Sequence, residues 1–256
     1  MPCDLCGARD DATLFVASDF RYGTPDLFPV VRCRRCGLVR TDPRPAVGEL
    51  ERFYPTHYSA HRSDALQYQS RSGELLRRLA LGRPTLVRSW AIAAYNSVAY
   101  RAILASPPGR LLDVGCGLGH YLEIWKSFGW EVEGLEPAPD AAAVAEKRLG
   151  VPVHVGSVES VSLPERRFDV VTLCHALEHV RSPRTALRSI RRSLVPEGRL
   201  LLMLPNFAAW DRRLFAPEWY AMEVPRHLFH FEPSTLRALL AAEGFRLESL
   251  GGSAHP

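Results

Sequence analysis

The stretch Leu111-Leu112-Asp113-Val114-Gly115-Cys116-Gly117-Leu118-Gly119 decides how this chain folds. An apolar run ends in an acid and then in three glycines at alternate positions, and residues 120–128 beyond it are amphipathic. The pattern predicts a strand, a tight turn and a helix start. Glycine has no Cβ, so it accepts left-handed dihedrals and lets a ligand press against the backbone, while the following helix N-terminus offers free N–H groups. A nucleotide-like ligand is expected there. The spacing G-x-G-x-G differs from the G-x-G-x-x-G of dinucleotide-binding folds, and taken alone the loop also fits a turn that merely packs a strand on a helix.

Outward from this loop, strands and helices alternate. Residues 132–135 read as a strand ending at Glu136, about twenty residues on, where a carboxylate can accept both hydroxyls of a ribose. A helix is expected over 140–149 and a short strand over 151–155, followed by Gly156-Ser157-Val158. The apolar run 168–174 suits a parallel strand buried on both faces. A helix over 185–194, a turn at Pro196-Glu197-Gly198, a strand over 199–204, a helix over 233–243 and a sixth strand over 245–250 complete the reading. Such alternation with short connections predicts an α/β fold, a parallel sheet with helices on both faces.

The run D-V-G-C-G-x-G, with its acid ahead of the glycines, resembles the first motif of class I S-adenosylmethionine-dependent methyltransferases. The resemblance implies a Rossmann-like sheet, S-adenosyl-L-methionine as cofactor, and glycines that serve close approach, since this cofactor carries no phosphate. It implies cofactor contacts from Asp113 near the methionine end, Gly115, Cys116, Gly117, Gly119, Glu136, Ser157, Val158 and His175. Ser157 stands where the family often has an acid for the adenine amino group, so that contact is weaker or passes to Glu159. Cys116, a tempting nucleophile, reads as a small residue lining the pocket.

Four of the six cysteines form two knuckles, Cys3-x-x-Cys6-Gly7 and Cys33-x-x-Cys36-Gly37. Two such pairs supply four thiolates for one structural Zn²⁺, with the alternatives of disulfides, free thiols or an iron centre. Four protein ligands leave no open position for catalysis. Arg9, Arg32, Arg34 and Arg35 are expected to offset the negative charge of the site. The chain has 256 residues, an ordinary apolar fraction of 46% and a net charge of +4. No run is long enough to span a membrane and no signal peptide is visible, so a cytoplasmic location is the default expectation. Scattered arginines favour solvated faces over a nucleic-acid footprint.

A zinc ribbon over 1–45, a helical connector or lid over 46–108 with amphipathic segments at 71–81 and 85–104, and a methyltransferase domain over 109–256 are therefore expected. Tyr54 and Tyr58 line the lid or pack on the ribbon. The customary seventh strand is not visible in the sequence. His175-Ala176-Leu177-Glu178-His179 matches the H-x-x-E-H pattern of zinc peptidases, but its place at a strand end argues against a catalytic metal there, and His179 reads as a packed residue. The ribbon together with Pro225-Arg226-His227-Leu228-Phe229-His230-Phe231 resembles bacterial methyltransferases with an N-terminal zinc-binding domain, one branch of which methylates carbon in nucleotide-linked sugars. Leu173-Cys174-His175 and His227 match that branch, whereas Val224 and Arg226 replace its tyrosine and glutamate. The expected function is methyl transfer to a small-molecule acceptor: a nucleotide-linked sugar, natural product or cell-envelope precursor. His227 is the candidate base or orienting group, with His175 or Tyr220 assisting; the alternative is that His227 and His230 brace the lid. Two other functions stay open: an RNA-modifying enzyme with Arg32, Arg34, Arg35 and Arg40 on phosphates, and a non-catalytic protein that keeps the fold.

Overall fold

The computed structural model describes residues 1–54 and 107–251. The segments expected to be helical at 71–81 and 85–104, and Tyr58, lie outside the described residues. Two compact units are formed. The first takes residues 1–54 with His175–Arg191 and Met203–Leu247; the second takes residues from 107 to Cys174 with Arg192–Leu202.

The first unit is built on a four-stranded sheet. Strands β1 (Asp11–Asp19) and β2 (Thr24–Cys33) form an antiparallel hairpin whose register runs from Asp11 opposite Cys33 to Asp19 opposite Thr24. Gly23, at φ +73°, takes the left-handed turn position that glycine tolerates, and its N–H donates to the Asp19 carbonyl at 2.8 Å. Strand β3 (Val39–Thr41) pairs with β2, and a short strand from far along the chain, Phe229–His230, pairs antiparallel with β3. The segment read from sequence as a catalytic loop thus completes the sheet of the cysteine ribbon. Behind the sheet, Phe28, Val30, Val39 and Phe53 pack with Phe207, Trp219, Met222 and Val224 in one buried cluster. Phe207 and Val224 expose nothing, and burial of such side chains contributes about 1.5–3 kcal/mol each. The helices here are α1 (Val47–Leu50), most of α4 (Pro183–Ser193), α5 (Trp210–Phe215) and α6 (Pro233–Ala242).

The second unit holds a five-stranded sheet. Its strands are β4 (Arg110–Val114), β5 (Glu131–Glu136), β6 (Val153–Val155), β7 (Phe168–Cys174) and β8 (Leu194–Met203), in the spatial order β6-β5-β4-β7-β8. The β4–β5, β5–β6 and β4–β7 pairs are parallel. Leu111 and Leu112 are fully buried, as apolar runs in a sheet covered on both faces should be. Helix α2 (His120–Ser127) starts after Gly119 and buries Leu122 and Trp125. Helix α3 (Pro139–Leu149) has a proline in its first turn and closes on left-handed Gly150, the expected start and stop residues.

Two expectations fail here. Residues 245–250 form no strand: Phe245 and Leu247 are half-buried between exposed neighbours, but no described segment supplies a ladder partner. Pro196-Glu197-Gly198 is not a turn, because β8 runs through it. A Cβ at Gly198 would sit 3.0 Å from the Val195 carbonyl oxygen and 3.1 Å from that of Phe168, so glycine serves close backbone approach. Met203–Leu247 groups with the ribbon strands in the first unit.

Candidate cofactor site and a buried histidine cluster

Strand order reverses at β4, with β5 and β6 on one side and β7 and β8 on the other, so the loop after β4 lies at the switch point where open α/β sheets bind ligands. Gly115, Gly117 and Gly119 all have positive φ, at 75°, 52° and 82°. The Gly115 N–H donates to the Leu135 carbonyl at 2.7 Å, and the Gly117 N–H to Glu136 Oε2 at 2.8 Å. Glu136 Oε1 accepts from the Ala138 N–H at 2.9 Å. The carboxylate expected to meet a ribose thus also holds the glycine loop to the turn after β5. A Cβ on Gly119 would lie 2.7 Å from Leu149 Cδ1, so this glycine also lets α2 and α3 approach.

Asp113 is buried and lies opposite Thr172 in the β4–β7 register. The Thr172 hydroxyl donates to Oδ1 at 2.6 Å, whereas Oδ2 has no partner. Burial, only partly offset by Thr172, pushes the Asp113 carboxyl up to about 7, and nearby Glu136 adds to the rise. Cys116 packs its sulfur into the space left by Gly134, where a Cβ would stand 2.7 Å away. Burial beside Asp113 and Glu136 pushes its thiol upward, so it is neutral and no nucleophile. Ser157 bonds within its own turn: its Oγ accepts from the Glu159 N–H at 3.2 Å and donates to Glu159 Oε2 at 3.2 Å, while Val158 is buried.

The four ribbon cysteines converge in the first unit. Their sulfurs lie within 4.8 Å of one another, with Cys3 and Cys36 at 3.4 Å and Cys6 and Cys33 at 3.6 Å, and none is in a disulfide. Gly7 and Gly37 take left-handed φ and donate to the carbonyls of Cys3 and Cys33 at 2.8 and 2.9 Å, closing the two knuckles. Two of the arginines expected to balance this site have acidic partners instead: Arg32 bonds Glu232 at 2.6 Å, and Arg34 lies 3.6 Å from Asp10. Arg40 is fully buried between Asp11 and Asp42, so it presents no surface to a phosphate.

The same unit gathers His175, Glu178, His179 and His227. His175, one residue beyond β7, is exposed at a left-handed φ of 52°, with Nδ1 3.4 Å from Glu178 Oε1, and that carboxylate raises its basicity. Glu178 is 1% exposed, and neither carboxylate oxygen accepts a hydrogen bond. Its carbonyl accepts from the N–H groups of Leu228 and Phe229, which fastens this turn to the Phe229–His230 strand. His179 Nδ1 lies 3.1 Å from the Arg226 carbonyl and 3.1 Å from the Tyr54 hydroxyl. His227 is buried, its Nδ1 donates to the Ala221 carbonyl at 2.9 Å, and its ring meets that of His179 edge-on with centroids 4.7 Å apart. Burial pushes His227 down to about 3 and His179 to about 4, so both rings are neutral at pH 7. His230 bonds Thr41 Oγ1 at 3.4 Å and burial lowers it to about 3. Tyr220 is exposed, with the Arg21 guanidinium 5.0 Å over its ring. From the sequence, Glu178 is placed only within the H-x-x-E-H run and is given no role. The signal was present in H-x-x-E-H, but its convergence with His227 is not written in any local spacing.

The sequence profile described as Methyltransferase domain matches residues 89–250, more than half of the chain. The Ubiquinone biosynthesis O-methyltransferase of Xanthomonas oryzae pv. oryzae (strain PXO99A) is 34% identical over 155 residues, which cover 56% of this chain and 65% of that protein. Its namesake in Xanthomonas axonopodis pv. citri (strain 306) is 32% identical over 166 residues, covering 60% and 70%. The chain thus spans slightly under two thirds of the first of these relatives. A solved SAM-dependent methyltransferase of Thermotoga maritima, described as a possible histamine N-methyltransferase, has a similar fold, with a TM-score of 0.50 at 22% identity over 75% of this chain and 82% of that one. Among the described residues no helix is long and apolar enough to cross a membrane. A parallel sheet of this strand order, an acid-led glycine loop at its switch point and the profile match together place the chain in the class I S-adenosylmethionine-dependent methyltransferase family.

Proposed function

We propose that the chain transfers a methyl group from S-adenosylmethionine to a hydroxyl of a small-molecule acceptor. The observation that carries this reading is the glycine loop at the switch point, framed by Glu136 and by an Asp113 oxygen that is buried without a partner. S-adenosylmethionine bound there supplies a methyl group already activated on sulfonium. Asp113 Oδ2 would accept from the ammonium of its methionine part, Glu136 would turn toward the ribose hydroxyls, and Ser157 and Val158 would border the adenine. The hydroxyl acceptor is suggested by the names of the Xanthomonas relatives, and sugar or natural-product acceptors remain within the same class. Within the first unit His175 has the chemistry of a general base: it is exposed, and Glu178 makes it more basic. His227, neutral and buried, is a positioning residue in this reading, and Tyr220 is an exposed group of the first unit.

The ribbon is proposed to hold a structural Zn²⁺ through Cys3, Cys6, Cys33 and Cys36. Zinc–sulfur bonds of about 2.3 Å place tetrahedral sulfurs about 3.8 Å apart, close to the 3.4 and 3.6 Å found. The burial of Arg40 and the pairing of Arg32 favour this role over RNA binding. Calorimetry with S-adenosylmethionine, followed by a screen of phenolic, sugar and amine acceptors with labelled methyl donor, tests the function. Saturable cofactor binding and label on a hydroxyl support it. No cofactor binding sinks it, and label found only on nitrogen or carbon overturns the hydroxyl assignment.

A further inference from the structure

We propose that Glu178, His179 and His227 form a second metal site, distinct from the cysteine ribbon, that takes a first-row transition cation such as Zn²⁺ or Co²⁺. One ligand atom from each of the three residues lies within 4.8 Å of the others. Two features argue for an ion rather than a packed polar cluster.

The first is the carboxylate. Glu178 is 1% exposed, yet both of its oxygens lack a hydrogen-bond donor. A buried carboxylate without a hydrogen-bond donor is a costly group for a fold to keep, and a bound cation would neutralise it. His175 Nδ1, at 3.4 Å, is the nearest imidazole nitrogen but does not satisfy either oxygen.

The second feature is the direction of the two imidazoles. His227 Nδ1 is 2.9 Å from the carbonyl of Ala221 and His179 Nδ1 is 3.1 Å from that of Arg226, and a carbonyl only accepts. His227 Nδ1 therefore carries the proton, which leaves its Nε2 with a free lone pair; His179 Nδ1 also lies 3.1 Å from the Tyr54 hydroxyl, which can donate to it, so the carbonyl alone does not set that ring's tautomer. His227 Nε2 lies 4.0 Å from Glu178 Oε1, two electron-pair donors facing each other with no hydrogen between them. Donation of the second ring N–H to a backbone carbonyl is the arrangement that orients metal-ligating histidines.

Two imidazole nitrogens and one carboxylate oxygen favour zinc, cobalt or nickel over magnesium, which takes oxygen ligands. Bonds of about 2.0–2.2 Å require the ligand atoms to draw in to about 3.4 Å, a movement of roughly 1 Å on binding. Three protein ligands leave the fourth position open, where a hydroxyl or water would lose its proton more readily. The proposal does not depend on methyl transfer and is read by metal binding alone.

Co²⁺ titration of the full chain, with its ribbon loaded with Zn²⁺, tests it. One Co²⁺ per chain is expected, with a visible d–d band, no thiolate-to-cobalt charge-transfer band in the near ultraviolet, and two paramagnetically shifted histidine N–H resonances. Glu178→Gln, checked for an unchanged circular dichroism spectrum, should weaken Co²⁺ uptake at least tenfold. Should that variant fail to fold, the wild-type spectra still decide. Absence of the band and of shifted N–H resonances at millimolar free Co²⁺ overturns the site, as does unchanged uptake by folded Glu178→Gln. Charge-transfer absorption alone would place the ion in the ribbon and also overturn it.

Discussion

Arg226 and Asp19 form a buried, doubly hydrogen-bonded ion pair, with Nη1 2.5 Å from Oδ2 and Nη2 2.9 Å from Oδ1, between residues at opposite ends of the sequence. Asp19 ends β1, and Arg226 immediately precedes His227. The guanidinium also donates to the Phe53 carbonyl at 2.9 Å and lies 4.5 Å over the Tyr22 ring. Its job is to hold the Pro225-Arg226-His227 segment against the hairpin.

Breaking this pair from one side should be costly. Asp19→Asn leaves the buried guanidinium with Glu223 alone, 3.3 Å from Nε, as its counter-charge, and the expected loss is at most about 3–5 kcal/mol of stability. Urea denaturation followed by tryptophan fluorescence measures it. In the double variant Asp19→Leu, Arg226→Met, a smaller loss than in Asp19→Asn is expected; equal or larger loss would argue against the ion pair as the cause.

Asp113 should set a pH dependence. The folded protein without cofactor keeps this proton up to about pH 7, whereas an unfolded chain releases it near pH 4. The folded state therefore binds more protons across that interval, and stability contributed by this group falls as pH rises from about 4 to about 7 and is level above. Urea midpoints for the wild type and Asp113→Asn, compared at pH 5 and pH 8, should show the variant gaining on the wild type at pH 8. A pH-independent difference would show that Asp113 ionises normally.

Gly134 has no room for a side chain. Its added Cβ would meet Cys116 Sγ at 2.7 Å, Leu122 Cδ1 at 3.0 Å and Val153 Cγ1 at 3.3 Å. Gly134→Ala is expected to push the glycine loop outward, destabilise the fold by about 1–3 kcal/mol and weaken S-adenosylmethionine binding. Adding Cys116→Ala removes the nearest atom and should restore much of the binding in calorimetry. No rescue would locate the strain at Leu122 and Val153 instead.

Removal of metal from the ribbon tests the proposed Zn²⁺. Strong chelators, or Cys33→Ser, should release one zinc ion and abolish the β1–β2–β3 sheet signals in NMR, since folding of such a knuckle pair is coupled to its metal. The parallel sheet of the second unit has its own buried core, and its amide protection should persist. An unchanged ribbon after complete metal loss would mean that the hydrophobic cluster around Val30 and Val39 suffices.

Much of the second unit was legible in the chain because its elements are local. Apolar strands, the acid-led glycine run and the start and stop residues of α3 each act over a few neighbours, and β4 to β7 fall within a residue or two of their expected places, whereas β8 starts at Leu194, well before the expected 199. Residues 245–250 misled because alternation marks a strand only when a partner exists, and pairing is a long-range fact. The candidate site divides in the same way. Asp113, Glu136 and the glycines were found by spacing, whereas the satisfied carboxylate of Glu136 and the unsatisfied one of Glu178 are properties of neighbours distant in sequence.

By itself the sequence determined the parallel α/β sheet, the cysteine knuckles and the family, because periodicity, glycine placement and metal-ligand spacing are written in contiguous residues. Only the tertiary structure decided that Phe229–His230 completes the ribbon sheet, that Arg40 and Arg226 are buried counter-ions, and that His227 turns inward toward Glu178. Those outcomes depend on which charges lose their water and which lone pairs are left facing one another, and burial is a property of the folded chain as a whole.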